Sequence, residues 1–135
     1  MYYRLNINNF FLLKDSGKEN FDTKTIEQED EKENDNPWIF CIVCKNKLTR
    51  KKDAIEMNSR HSHSFLNPHG IFYNIRCFKN AKGALPYSEP VDQFSWFKGY
   101  SWQIVACSKC KLHIGWKYSS GNNVFYGLIE NVLDG

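Results

Sequence analysis

Four of the five cysteines in this 135-residue chain fall into two short pairs, Cys41-Ile-Val-Cys44 and Cys107-Ser-Lys-Cys110. In such a turn both sulfurs come to one side of a tight loop, so the two pairs together supply four thiolates for one tetrahedral zinc ion. Lys45 and Lys47 follow the first pair and Lys111 the second, setting cations beside a centre that is negative once four thiolates are bound. The 62 residues between Cys44 and Cys107 far exceed the roughly 15 to 20 of a simple zinc ribbon. The ion is therefore predicted to join distant hairpins. Its role is structural, because four cysteines leave no open position for water or substrate.

Cys77, in Asn-Ile-Arg-Cys-Phe, is left over and reads as a buried strand cysteine. A reductase using it as nucleophile would need a low-pKa thiolate and a resolving thiol, and the other four cysteines are committed to metal. No catalytic residue and no enzyme activity are expected. His61, His63 and His69 lie in a stretch with Ser, Asn, Pro and Gly that reads as a loop, not as a second metal site.

The second constellation is aromatic. Phe94-Ser-Trp96-Phe97-Lys98-Gly99-Tyr100-Ser101-Trp102 is followed, past the second cysteine pair, by Gly115-Trp116-Lys117-Tyr118. A turn at Lys98-Gly99 would return the chain so that Trp96 and Trp102 approach each other. Trp116 and Tyr118 are two apart on a strand and point to one face. These four side chains could simply fill the core. Each buried indole N–H needs a partner, however, which makes three clustered tryptophans awkward core material and favours a partly open cage.

The elements that must hold these residues are strands. From Trp38 onward, short β-branched and aromatic runs are broken by Gly, Pro and Asn, the pattern of β hairpins. Strands are predicted at Trp38–Val43, Ile71–Phe78, Trp102–Cys107, Leu112–Tyr118 and Val124–Ile129. Residues 1–36 are different: five Lys/Arg and nine Asp/Glu with few apolar residues, too little to offset the entropy of ordering them. They read as a disordered charged tail, a solvated helix over Thr25–Glu33 being the alternative, and residues 37–135 as one domain.

No apolar run is long enough to cross a membrane, and the first residues lack the pattern of a secretory signal. An odd cysteine count argues against a disulfide framework. A reducing, cytoplasmic location is expected.

Asn67-Pro68-His-Gly70, the segment Phe94 to Trp102, Cys107-Ser-Lys-Cys110, His113-Ile-Gly-Trp-Lys-Tyr118 and Phe125-Tyr-Gly-Leu-Ile129 together resemble the thalidomide-binding (CULT) domain family of cereblon. The free-standing bacterial members are the most similar. The resemblance runs from about Phe40 to the C-terminus and implies a mainly β fold, a β-tent of two antiparallel sheets pinned by zinc at Cys41, Cys44, Cys107 and Cys110. Related tents occur in methionine-R-sulfoxide reductases and RNA-sensor domains, so fold alone does not decide function.

The resemblance further implies a pocket with Trp96, Trp102 and Trp116 as walls, Tyr118 as floor and Asn67 at the rim. The Phe94 carbonyl would accept from an imide N–H, and the Trp96 backbone N–H would donate to an imide oxygen. The implied ligand is a small cyclic imide such as glutarimide or thalidomide, a protein C-terminal cyclic imide, or a uracil-like ring. About eight heavy atoms at roughly −0.7 kcal/mol each give near −6 kcal/mol, or tens of micromolar. Phe94 stands where animal cereblon has histidine, a change expected to alter selectivity more than binding through backbone. Nothing here resembles cereblon's Lon-like domain or its ligase-adaptor contacts, so no ligase partner is expected and a monomer is the simplest state.

Two other partners compete. A methylated ammonium could use the same cage by cation–π attraction, with Glu89 or Asp92 as the carboxylate. Residues 37–135 carry thirteen Lys/Arg against six Asp/Glu, which raises single-stranded nucleic acid. The cations are scattered along the sequence, so that partner is not favoured.

Overall fold

The computed structural model describes residues 36–135, and the expectation of a disordered tail therefore lies, apart from Asn36, outside the described residues. Among the described residues nine strands form two antiparallel sheets. One has three strands in the order β2-β1-β9, from β1 (Trp38–Cys41), β2 (Lys47–Arg50) and β9 (Leu133–Asp134). The other has six, β3-β4-β8-β7-β6-β5, from β3 (Ser62–Leu66), β4 (Phe72–Phe78), β5 (Ala84–Pro86), β6 (Ser101–Cys107), β7 (His113–Ser120) and β8 (Asn123–Ile129). The mainly β, two-sheet architecture is the one expected from the sequence.

All five predicted strands are present, with ends moved by a few residues. The first stops at Cys41 because Ile42 and Val43 belong to the cysteine turn. The predicted loop around His61 to His69 is corrected: Ser62–Leu66 is an edge strand, paired from Ser62↔Arg76 to Leu66↔Phe72 without a break. Its residues alternate exposed and half-buried, the period of a strand with one covered face. His63 and Phe65 face inward against Phe97.

The core has two parts. Ile39, Leu48, Phe78, Ile114, Leu128 and Leu133 pack between the sheets around Cys41 and Cys107. Ile75, Cys77, Phe97, Trp116, Tyr118 and Phe125 form the other, beneath the aromatic segment. Phe97 is 2% exposed and meets Tyr118 and Phe125 edge-on, with ring centroids 4.8 and 4.9 Å away.

Close approach of β7 and β8 requires glycine at one point. Gly115 has φ +155°, and a Cβ there would run into the Gly127 carbonyl oxygen. That obstacle is backbone on a central strand pair and cannot swing aside. Gly115→Ala is expected to cost about 2–4 kcal/mol from overpacking and an unfavourable φ, read as a lower urea midpoint with unchanged slope.

Candidate functional site

The two cysteine pairs occupy equivalent hairpin tips, between β1 and β2 on the small sheet and between β6 and β7 on the large one. The turns are built alike. Lys45 and Lys111 both adopt left-handed backbone (φ 65° and 68°), and their N–H groups donate to the Cys41 and Cys107 carbonyls at 2.8 and 2.9 Å. Cys41 and Cys107 in turn donate to the Asn46 and Leu112 carbonyls, each at 2.8 Å. Each turn thus aims its two sulfurs out of the tip toward the other sheet.

The four sulfurs lie within 4.8 Å of one another, with Cys41 to Cys110 at 3.7 Å and Cys44 to Cys107 at 3.5 Å. Zinc–sulfur bonds of about 2.3 Å in a tetrahedron place sulfurs about 3.8 Å apart, so the cluster fits the ion. Burial raises the Cys107 thiol pKa, but backbone hydrogen bonds from Cys110 and Lys109, with side-chain bonds to Cys44 and Asn46, outweigh it and hold the value down at about 6. The Asn46 amide (3.6 Å) and the Lys109 N–H (3.4 Å) are donors aimed at that sulfur, which suit a thiolate ligand. Zinc held by Cys41, Cys44, Cys107 and Cys110 would tie the two sheets together.

The remaining candidates separate cleanly. Cys77 is fully buried in β4, and burial pushes its thiol up to about 12, the opposite of an activated nucleophile. His61 and His63 are engaged with the Ile55 and Arg60 carbonyls at 2.9 and 3.0 Å. Among the described residues the four cysteines form the only metal-ligating cluster.

On the large sheet a cavity of about 490 Å³ is lined by Asn67, Phe94, Trp96, Trp102, Trp116 and Tyr118, together with Pro68, His69, Tyr73, Ile104 and His113. All six residues singled out in the sequence face this one space. The turn at Lys98-Gly99 forms as expected, with Gly99 at φ 87° and the Tyr100 N–H donating to the Phe97 carbonyl at 3.0 Å. Trp102 and Tyr118 are cross-strand neighbours on β6 and β7, with Trp116 two residues before Tyr118.

The tryptophans do different jobs. Trp116 is 8% exposed and meets Trp96 edge-on at 4.9 Å. Trp96 is stacked on Phe65 at 4.8 Å, interplanar angle 12°. Trp102 is half-buried, and its indole N–H donates to the Gln93 carbonyl at 2.7 Å. That bond fixes the ring and satisfies its one polar atom. Tyr118 is 1% exposed and stacks on Phe125; burial, then the neighbouring Cys77, raises its pKa, so it stays a neutral phenol.

Phe94 carries a positive φ of 62° with its side chain 71% exposed, a conformation that costs about 1–2 kcal/mol outside glycine. Such backbone is found where function needs a particular orientation. Among the described residues no hydrogen bond occupies the Phe94 carbonyl or the Trp96 N–H. Asn67 is spent on its own turn, its Oδ1 accepting from the His69 and Ile71 N–H groups at 2.9 and 2.8 Å. This shapes the cavity rim.

Sequence reasoning missed Phe65, Tyr73 and His113. Phe65 backs Trp96, and Tyr73 meets Trp116 edge-on at 5.1 Å. Burial lowers the pKa of His113, so the ring is neutral at pH 7. Its Nε2 lies 3.1 Å from the Gly115 carbonyl, which only accepts, so Nε2 carries the hydrogen and Nδ1 remains an acceptor. The signal available for Phe65 was the alternation in Ser62 to Leu66, obscured by its serines and histidine.

No helix among the described residues is long and apolar enough to cross a membrane. The chain is 34% identical to the protein cereblon of Drosophila simulans over 103 residues, which is 70% of this chain and 17% of that protein. Cereblon of Drosophila melanogaster matches at 33% over the same length and the same shares, and that of Drosophila persimilis at 34% over 99 residues, 67% of this chain and 16% of that protein. The chain thus spans about one sixth of the length of these relatives. Residues 37–131 match the family described as Yippee zinc-binding/DNA-binding/Mis18, centromere assembly. With its paired cysteine turns, two sheets and similarity to cereblon, the chain belongs to the Yippee-Mis18 family.

Proposed function

We propose that this domain is a non-catalytic binding module that takes a small, neutral cyclic imide between Trp96, Trp102 and Trp116, free or at the end of a protein chain, in the cytoplasm. The observation that carries the reading is a cavity walled by aromatic rings and, among the described residues, lined by no carboxylate and no lysine or arginine. A cyclic imide has two apolar faces and one donor–acceptor edge. Indoles desolvate the faces, while the unspent Phe94 carbonyl and Trp96 N–H offer partners for the edge, since a polar group buried without one costs about 1–3 kcal/mol. The cavity volume lies within the range usual for small-molecule sites. The deep burial of Cys77 supports a module without chemistry of its own.

A methyl-ammonium ligand is less well served. Glu89 and Asp92, the carboxylates nearest in sequence, are not among the lining residues, and a desolvated cation without a counter-charge is penalised. The DNA binding named in the family description, carried to this chain, would need another surface, because the cavity holds no permanent cation. Tryptophan fluorescence tests the choice: glutarimide is expected to quench it saturably at tens of micromolar, trimethyl-lysine only above about 1 mM. The reverse order would transfer the cage to the methyl-ammonium reading.

A further inference from the structure

On the small sheet a second cavity of about 550 Å³ shares no residue with the first. One wall is β2 and the turn after it, carrying Lys47, Arg50 and Lys52; the other is the loop carrying Lys79 and Lys82. The two walls are stitched together. Gly83 N–H donates to the Leu48 carbonyl at 3.0 Å, the Lys79 N–H to the Asp53 carbonyl at 2.8 Å, and the Thr49 hydroxyl to the Asn80 carbonyl at 2.5 Å. Five cations that look scattered in sequence therefore face one groove of fixed width.

Among the described residues none of these five cations is in an ion pair, the one such pair being Lys45–Asp134, outside the groove. Asp53 is, among the described residues, the single acid in the lining, and it is buried. Trp38 holds two of the cations in place, with Lys47 Nζ 4.8 Å and Arg50 Cζ 5.0 Å from its ring centroid. Arg50 Nε is shut off from solvent without a hydrogen-bond partner, so the charge Arg50 offers a ligand is carried by the rest of its guanidinium.

We propose that this groove binds the phosphodiester backbone of single-stranded nucleic acid, without sequence preference. Four lysines spread over two walls act as separate point charges. That pattern matches a series of phosphates better than one phosphorylated side chain, which is recognised by clustered bidentate arginines. With both cations resting on Trp38, the contact is to backbone and not by base stacking, hence the lack of sequence reading.

The test is fluorescence anisotropy of a labelled oligothymidine of about 12 nucleotides with the full, zinc-loaded chain. Affinity is expected to fall roughly 50- to 130-fold between about 50 and 200 mM salt, as four to five phosphate contacts dictate. The double variant Lys47→Gln/Lys82→Gln should flatten the slope of log affinity against log salt by about 1.4, with zinc content and thermal midpoint unchanged. Lys98→Gln/Lys117→Gln, which removes the same charge elsewhere, should leave that slope as it is. Trp102→Ala should also bind the oligonucleotide normally, which keeps this result separate from the fate of the imide reading. Equal losses in the two lysine pairs, no binding at the lower salt, or tighter binding of a phosphoserine-rich peptide of equal charge would each overturn the assignment.

Discussion

Removing the metal is expected to unfold the domain. The small sheet has three strands, one of only two residues, too little to persist alone. It is joined to the large sheet through the core around Ile39, Leu48 and Leu128 and through the four sulfurs. Structural zinc contributes about 10–16 kcal/mol at pH 7, as much as the whole net stability of a typical domain, about 5–15 kcal/mol. A strong chelator should abolish the near-ultraviolet circular dichroism of the packed aromatics. Cys107→Ser should lose the single equivalent of zinc and lower the melting midpoint by about 20 °C or more. Cys77→Ser is the matched control: its site is equally buried but apolar, so it should lose some stability while keeping one zinc per chain.

The candidate site was unevenly legible in the sequence. The cysteine pairs announced themselves because metal ligation demands particular residue types at fixed spacing, and that pairing survives any detail of the strands. Trp116 and Tyr118 were placeable because a strand has period two. β3 was misread because Ser62, His63 and Ser64 carry no apolar signal, although Phe65 and His63 form its inner face. The groove at Trp38 was invisible for a different reason. Lys47 and Lys82 are far apart along the chain, and the hydrogen bonds from Gly83 to Leu48, Lys79 to Asp53 and Thr49 to Asn80 bring their segments alongside. Long-range pairing of this kind leaves no local trace.

Within the cage, Trp102→Ala should cost the most binding for the least disturbance. Trp116 is nearly buried and belongs to the core, so truncating it would mix lost affinity with lost stability. Trp102 is half-buried. Its backbone exchanges hydrogen bonds with Val91 at 2.9 Å in both directions, and these survive the change. The Gln93 carbonyl released by the missing indole is on an exposed residue and returns to water. Loss of one aromatic wall is worth about 2 kcal/mol, or about 30-fold.

The decisive measurement is a calorimetric titration of the zinc-loaded full chain with glutarimide, wild type beside Trp102→Ala. One site per chain with a dissociation constant of tens of micromolar, weakened about 30-fold in the variant while zinc content and melting midpoint hold, is the predicted result. Absence of saturable heat from the wild type, or equal affinity in the two proteins, would contradict the tryptophan slot as an imide site.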